Sequence, residues 1–455
     1  MKSNVFVGIV IALGIVAVGP MRAAGEGIEA GPEIRVDGPD AVQPGNNRSF
    51  PDSAVDEIGR RIRVWTAFSN TTRGDIFLRR FDAAGNPLED PKMVNTTTED
   101  DQTNARVAVA SDGSFLVIFE SDELDPDLGV DRKVIRSQAY DANGDKVGPE
   151  ERLSTELTNI TSALSDVAAL RAADGSPGGY AVVWVSLHSA GSDTNRSIQG
   201  SMVSAAGVPG AQFQLNSEDA PHQSHPSVTE LTDGGFLATW TISQDVAGRR
   251  FNAAGGPIGN DFVISTAFAG QKLANDAAIG WNGAVAVVWA DADDPEDSRE
   301  IRARLYSSDL VPLGPDFRVN TLMTGDQAEP RVADYGPRGF LVVWESDDSS
   351  GADPGDSIEA RLVTGSNQFD GPQVQFNIWG DSTQQQPSAH GWYGRLGTSW
   401  RSLSRGGDPP PVPNTDDHII GRDIEECLFC DDFEWFTPGG NGSLWRWSSS
   451  VGVDP

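Results

Sequence analysis

Cysteine is nearly missing from this chain: the only two, Cys427 and Cys430, stand close together near the C-terminus. A disulfide skeleton for the body is therefore excluded, and the fold must live on its apolar core. In an oxidising compartment the two cysteines can pair with each other. No βαβ pattern surrounds them, which disfavours a thioredoxin-like role. Histidine is scarce as well, with five in 455 residues (His188, His222, His225, His390 and His418), and no His-rich ligand set can be assembled. His222 and His225 share one loop, a spacing commoner in polar surface than in zinc sites. Basic residues are outnumbered, 34 Lys+Arg against 66 Asp+Glu, for a formal net charge of −32. Such a surface repels phosphate backbones and anionic head groups, which argues against nucleic-acid and membrane-surface partners. It favours divalent cations, basic partners or uncharged glycans. No Gly-x-Ser-x-Gly elbow, phosphate-cradling Gly loop or twelve-residue calcium loop is present.

Long apolar runs are confined to the start. Lys2 precedes the apolar or Gly run Val5–Val18, followed by Pro20 and the small residues Ala23, Ala24 and Gly25. This reads as an export signal over residues 1–25, too short for a membrane span. The mature chain is then expected to be exported, secreted or at a bacterial cell surface, without a membrane span.

What is abundant is turn chemistry: 50 Gly and 28 Pro, spread through the middle of the chain. Between them, short apolar runs ending in an aromatic recur at Trp65, Phe119, Trp184, Trp240, Trp289, Trp344 and Trp400, spaced 54, 65, 56, 49, 55 and 56 residues apart. Each of these seven units holds four strand-like runs. Strand A is short and rich in small residues (Arg106–Ala110, Ser227–Leu231, Arg331–Tyr335). Strand B is the aromatic-ended run, buried on both faces. Strand C alternates charged and apolar residues, as in Ile301-Arg302-Ala303-Arg304-Leu305-Tyr306, and strand D follows a Gly-rich turn. The pattern predicts an all-β, seven-bladed β-propeller of four-stranded antiparallel blades over residues 26–424, with a tail over 425–455. A sandwich array or β-solenoid is the competing fold. Ile34-Arg35-Val36-Asp37 looks like a D strand with no A strand before it, and the seventh unit lacks a D strand. The N-terminal strand is thus expected to complete blade seven and close the ring.

In an up-and-down blade the A–B and C–D turns share one face, and the longer B–C and D–A loops the other. The second face is the expected functional surface. Three B–C loops are strongly acidic: Asp122, Asp125, Asp127 and Asp131 in blade two, Asp291, Asp293, Asp294 and Asp297 in blade five, and Asp347, Asp348, Asp353 and Asp356 in blade six. Clustered carboxylates with intervening Gly or Pro suit Ca²⁺, which takes six to eight oxygens. Solvated charge is the plainer account of the same residues. The repeated Trp residues read as core, whereas Trp281, Trp379 and Trp392 fall outside the register and are candidates for exposed aromatic contacts. No catalytic residue stands out: paired carboxylates could be drawn from many acids.

The units Gly339-Phe-Leu-Val-Val-Trp-Glu-Ser346, Ile358-x-Ala-Arg-Leu362, Asp316-Phe-x-Val-Asn-Thr321 and Gly325-Asp-Gln-x-x-Pro330 resemble repeats of large exported bacterial surface proteins. The resemblance implies adhesin-like company and calcium-binding modules. The segment Cys427-Leu-Phe-Cys-Asp-Asp-Phe-Glu434, with Trp445-Arg-Trp-Ser beyond it, is similar to a C-terminal sorting signature of exported bacterial proteins, with Asp432 and Trp435 departing from it. On this reading the protein is a non-catalytic binding or adhesion module for a glycan or protein ligand, with Ca²⁺ ordering its acidic loops. A carbohydrate-active hydrolase or lyase on the same scaffold is the alternative, and a structural surface protein a third. Convergent Asp, Arg and Trp on the axis would favour the enzyme; oxygen cages in the loops would favour the first reading.

Overall fold

Strands buried on both faces need a sheet on either side, and a ring of radially stacked sheets supplies one without leaving long free edges. A computed structural model shows this ring. It describes Ile28, residues 33–38 and residues 47–425, apart from 69–72, 125–130, 155–161, 188–195, 218–222, 267–269, 293–298, 348–355, 379–382, 393–394 and 404–416. The expected export signal and the C-terminal tail, with Cys427 and Cys430, lie outside the described residues.

Seven four-stranded antiparallel sheets follow one another. Blade one is Asn47–Val55 (A), Arg61–Phe68 (B), Gly74–Phe81 (C) and Lys92–Met93 (D). The A strands of blades two to seven are Gln102–Val109, Ser162–Arg171, Gln223–Glu230, Gln271–Ile279, Gln327–Asp334 and Thr383–Trp392. Each packs on the next, and the last packs on Asn47–Val55, so the ring is closed. Among the described residues the only helical turn is Gly336–Arg338.

The core is a set of seven apolar clusters, one in each gap between neighbouring blades. The aromatic that closes the apolar run of each B strand lies in them, with Trp65, Phe119, Trp184, Trp240, Trp289 and Trp344 fully buried and Trp400 nearly so. Trp344 and Trp400 also donate Nε1–H to Gln327 and Gln384, both at 2.7 Å.

Blade seven takes A, B and C from the chain's end, as Thr383–Trp392, Arg395–Leu403 and Asp417–Glu425. Its D strand is Glu33–Arg35, antiparallel to Asp417–Glu425 with Ile34 opposite Gly421. In the other six blades the residue after strand D donates its N–H to a strand C carbonyl, from Val94 to Ile76, Leu153 to Ile135, Leu215 to Ile198, Ile264 to Val246, Val319 to Ile301 and Phe376 to Ile358. Val36 does the same to Ile419. One residue further on, Asn95, Ser154, Asn216, Ser265, Asn320 and Asn377 accept an N–H back from strand C. In blade seven that place is taken by Asp37, wholly buried and 2.8 Å from the equally buried Arg48 of blade one. Burial alone would raise the Asp37 carboxyl, but His418, Arg35 and Arg48 hold it below its usual range.

Two predictions follow from this packing. Trp344→Ala should lower stability by about 3–5 kcal/mol in denaturant titration; a loss under 1 kcal/mol would mean the ring is not held by this core. Asp37→Ala removes the carboxylate that faces the buried Arg48 and should cost about 3–5 kcal/mol, most of it recovered when Arg48 is also changed to Met. Equal melting temperatures for wild type and Asp37→Ala would count against the closing strand.

Candidate functional site

The tight turns are where the sequence puts them: Gly113 and Gly234, in A–B turns, take φ of +83° and +79°, a conformation that glycine adopts without penalty. The longer B–C and D–A connections gather on the opposite face. Of the acids proposed for Ca²⁺ there, Asp125, Asp127, Asp293, Asp294, Asp297, Asp348 and Asp353 lie outside the described residues, as does the side chain of Asp131. Asp122 lies 3.4 Å from Lys133. Asp291 is turned into blade five, wholly buried, 2.6 Å from the equally buried Lys272 and 3.8 Å from Arg302. Its charge is answered inside the protein, and it is not a free loop carboxylate. Asp347 and Asp356 stay together on blade six: Asp347 Oδ2 accepts from the Asp326 N–H at 3.3 Å, and Asp356 Oδ2 from Gln385 at 3.1 Å. Among the described residues no three His, Cys, Asp or Glu side chains are arranged to hold a metal ion.

The axis holds what the sequence did not announce. Every A strand carries a bulge in its first half. At each bulge one non-glycine residue is left-handed: Phe50, Asn104, Leu164, His225, Ala274, Glu329 and Gln386, with φ between +43° and +55°. Such a backbone costs about 1 kcal/mol or more per residue. Two residues later stands a second ring: Asp52, Arg106, Asp166, Ser227, Asp276, Arg331 and Ser388. Its acceptors cap the N–H groups of the next blade's A strand. Asp52 takes Val107 N–H at 2.9 Å, Asp166 takes Val228 and Asp276 takes Val332, both at 2.8 Å, and Ser227 takes Ala277 at 3.2 Å. Burial pushes Asp52 and Asp276 up to about 6 against the pull of Arg106 and Arg331.

At the mouth on the long-loop side, Glu329 lies 3.7 Å from Arg331. Glu345, at the end of strand B in the same blade, accepts the Gln386 N–H at 3.2 Å. Burial pushes the Glu345 carboxyl up to about 7, that N–H opposing it and Glu329, Asp356 and Asp347 adding to it. His225 is held below its usual value, by burial first and by Arg331 and Arg196, with Glu329 opposing. A carboxyl of raised proton affinity and an imidazole of lowered proton affinity are thus both coupled to the Glu329–Arg331 pair at one opening, and groups so shifted are of the kind that general acid–base chemistry uses.

The opposite mouth is bridged across the axis. Arg171 of blade three lies 3.2 Å from Glu57 of blade one, 3.6 Å from Glu230 of blade four and 3.8 Å over the ring of Trp392 of blade seven. Trp392, read from sequence as a contact aromatic, is one layer of this cross-axis staple, whereas Trp281 is 45% exposed. Trp379 is outside the described residues.

No family model matches the chain, and no curated protein matches it. The fold places it among seven-bladed propellers, and many solved structures are similar, two of them as follows. A protein of unknown function from Dyadobacter fermentans is 10% identical, with a TM-score of 0.50, over 88% of this chain and 99% of that one. A PL25 polysaccharide lyase, an ulvan lyase, is 7% identical, with a TM-score of 0.50, over 85% of this chain and 95% of that one.

The raised Glu345 carboxyl has a thermodynamic consequence. Its proton is bound more tightly in the folded chain, so its contribution to stability falls as pH rises from about 4.5, the ordinary value, through about 7. Glu345→Gln should remove that fall and leave the protein about 1–3 kcal/mol more stable than wild type at pH 8. Parallel stability–pH curves for the two proteins would show that Glu345 titrates normally.

Proposed function

We propose that this exported protein is a carbohydrate-active hydrolase or lyase working at the axial mouth of the long-loop face. What carries the reading is the convergence there of Glu345, Glu329, His225 and Arg331. Glu345 keeps its proton near neutrality and can donate it to a leaving glycosidic oxygen. Glu329 and the neutral His225 are the partners able to take a proton from water or from a sugar carbon. Arg331 stabilises negative charge that develops between them. The bulge aims these side chains: Glu329 and His225 are both left-handed residues, held against local strain by the blades around them. The neighbouring ulvan lyase is a propeller that acts on a polysaccharide; at 7% identity it supplies the fold and no site residue.

Calcium-dependent glycan binding at the same face is the second reading. It is favoured by Asp326, Asp347 and Asp356 lying beside Glu345 on blade six, with Arg299, among the described residues, the one cation paired among them, 3.0 Å from Asp326. A bound Ca²⁺ would raise the melting temperature of chelator-treated protein.

A panel of neutral and acidic polysaccharides should be assayed for new reducing ends and for ultraviolet-absorbing unsaturated ends. The reading predicts turnover of at least one glycan, falling roughly 10²–10⁴-fold in Glu345→Gln with the substrate still bound. Binding without turnover, unchanged by Glu345→Gln, would favour the calcium-dependent module instead.

A further inference from the structure

Six of the seven gaps between blades are cross-tied on their outer side by a recurring cation, an arginine of strand C or, in blade two, the lysine that starts strand D. It reaches the carbonyl of the residue after strand D in the preceding blade: Arg79 to Val36, Lys146 to Val94, Arg249 to Leu215, Arg304 to Ile264, Arg361 to Val319 and Arg422 to Phe376. In blades one, four and five the arginine is tied at a second point, its Nε donating to its own C–D hairpin: Arg79 to Glu89 O at 2.9 Å, Arg249 to Gly259 O at 3.0 Å and Arg304 to Gly314 O at 3.2 Å. Both ends of the guanidinium are then spent on structure.

Blade six breaks this rule. Its C strand ends at Gly365 and its D strand begins at Gln368, with two residues between them, whereas blade five has ten between Tyr306 and Phe317. The hairpin is too short to offer a carbonyl. Arg361 Nε is buried without a hydrogen-bond partner, its guanidinium lying 3.5 Å over the Phe369 ring. Among the described residues Arg361 has no carboxylate partner either, in a chain carrying 66 acids. Beside it, along the outer wall between blades five and six, lies a groove of about 430 Å³ walled by Arg302, Arg318, Arg361, Glu300, Asn320 and Asn367, together with Thr321 and Phe369. That volume falls within the usual range for small-ligand sites, about 300–1,000 Å³. Asp316 takes up the charge of Arg302 at 2.7 Å, and Glu300 is shared between Arg302 at 3.6 Å and Arg318 at 3.0 Å. One guanidinium charge is left over.

We propose that this groove is an oxyanion site that holds the carboxylate or sulfate of an acidic sugar residue, with Arg361 and Arg318 as its donors and the exposed Asn367 at its rim. That the oxyanion belongs to a sugar rests on the glycan reading above; that the groove takes an oxyanion does not. The fork of a guanidinium matches the two oxygens of either group, and a site away from the axial mouth would hold an acidic chain at a second point.

Full-length mature protein should be titrated calorimetrically with sodium sulfate, with an oligogalacturonate and with a neutral oligogalactoside of equal length. Saturable, salt-sensitive binding of sulfate or of the uronate is expected, with the stronger of the two naming the source. Arg361→Gln should weaken it about tenfold or more. Because that change also removes the tie to Val319, Arg318→Gln is the second variant: the side chain is 41% exposed, so it should weaken binding several-fold at an unchanged melting temperature. Binding that survives both substitutions, or no saturable binding of either anion, overturns the proposal. Glu345→Gln should leave the affinity intact. Anion binding without turnover of any glycan would therefore sink the enzyme reading while leaving the groove standing.

Discussion

Everything in this ring depends on satisfying the inner edge of strand A. Seven such edges meet around the axis, and each presents backbone N–H groups with no further strand to pair them. Left unpaired inside the protein, each would cost roughly 1–3 kcal/mol. The chain answers with side chains of the neighbouring blade: Asp52, Asp166, Ser227 and Asp276 reach across to the next strand. Thr229 and His390 do so one rung lower, to Ile279 and Val55. This requirement explains why acids stand in the middle of a small protein's axis, and why a costly left-handed bulge is kept in all seven blades. The bulge turns the strand so that the residue two positions on can face its neighbour.

The same device makes chemistry available. A carboxyl aimed at a backbone N–H in a crowded axis is desolvated and surrounded by like charge, and its proton affinity rises. Where the partner is an arginine spanning several blades, as Arg171 does between Glu57 and Glu230, the result is a staple. Where the paired carboxylate belongs to the arginine's own blade, as Glu329 does beside Arg331, no such staple spans the axis. The two mouths of one axis thus differ by how their charges are answered, not by their residue types. The outer gaps follow the same logic, with five arginines and a lysine cross-tying neighbouring blades and one arginine only partly used.

The blades were legible because strand B is apolar on both faces and its apolar run ends in an aromatic at near-constant spacing, a pattern set by burial alone. The displaced D strand was legible because Ile34–Asp37 repeats the strand ending seen in Phe317–Asn320. The axial rings were not, because the first half of each A strand, such as Gln102-Thr103-Asn104, has neither period two nor apolar character. One signal was present: proline follows the left-handed residue in Phe50-Pro51-Asp52, His225-Pro226-Ser227, Glu329-Pro330-Arg331 and Gln386-Pro387-Ser388, and proline inside a strand marks a bulge or an edge. Reading the acidic loops as one class also failed at Asp291, because a carboxylate's partner can lie far off in sequence. Lys272 precedes it by 19 residues and meets it across the A–B pairing.

Amide hydrogen exchange tests the central claim most directly. Val107, Val228, Ala277 and Val332 are inner-edge amides whose partners are side chains of the preceding blade. If those caps hold the ring, the four amides should exchange only through global unfolding, as slowly as the amides of strand B. In Asp166→Ala, Val228 alone should lose most of its protection. Exchange of all four in the wild type at the rate of an exposed edge would contradict the account, and would mean that apolar packing alone closes the propeller.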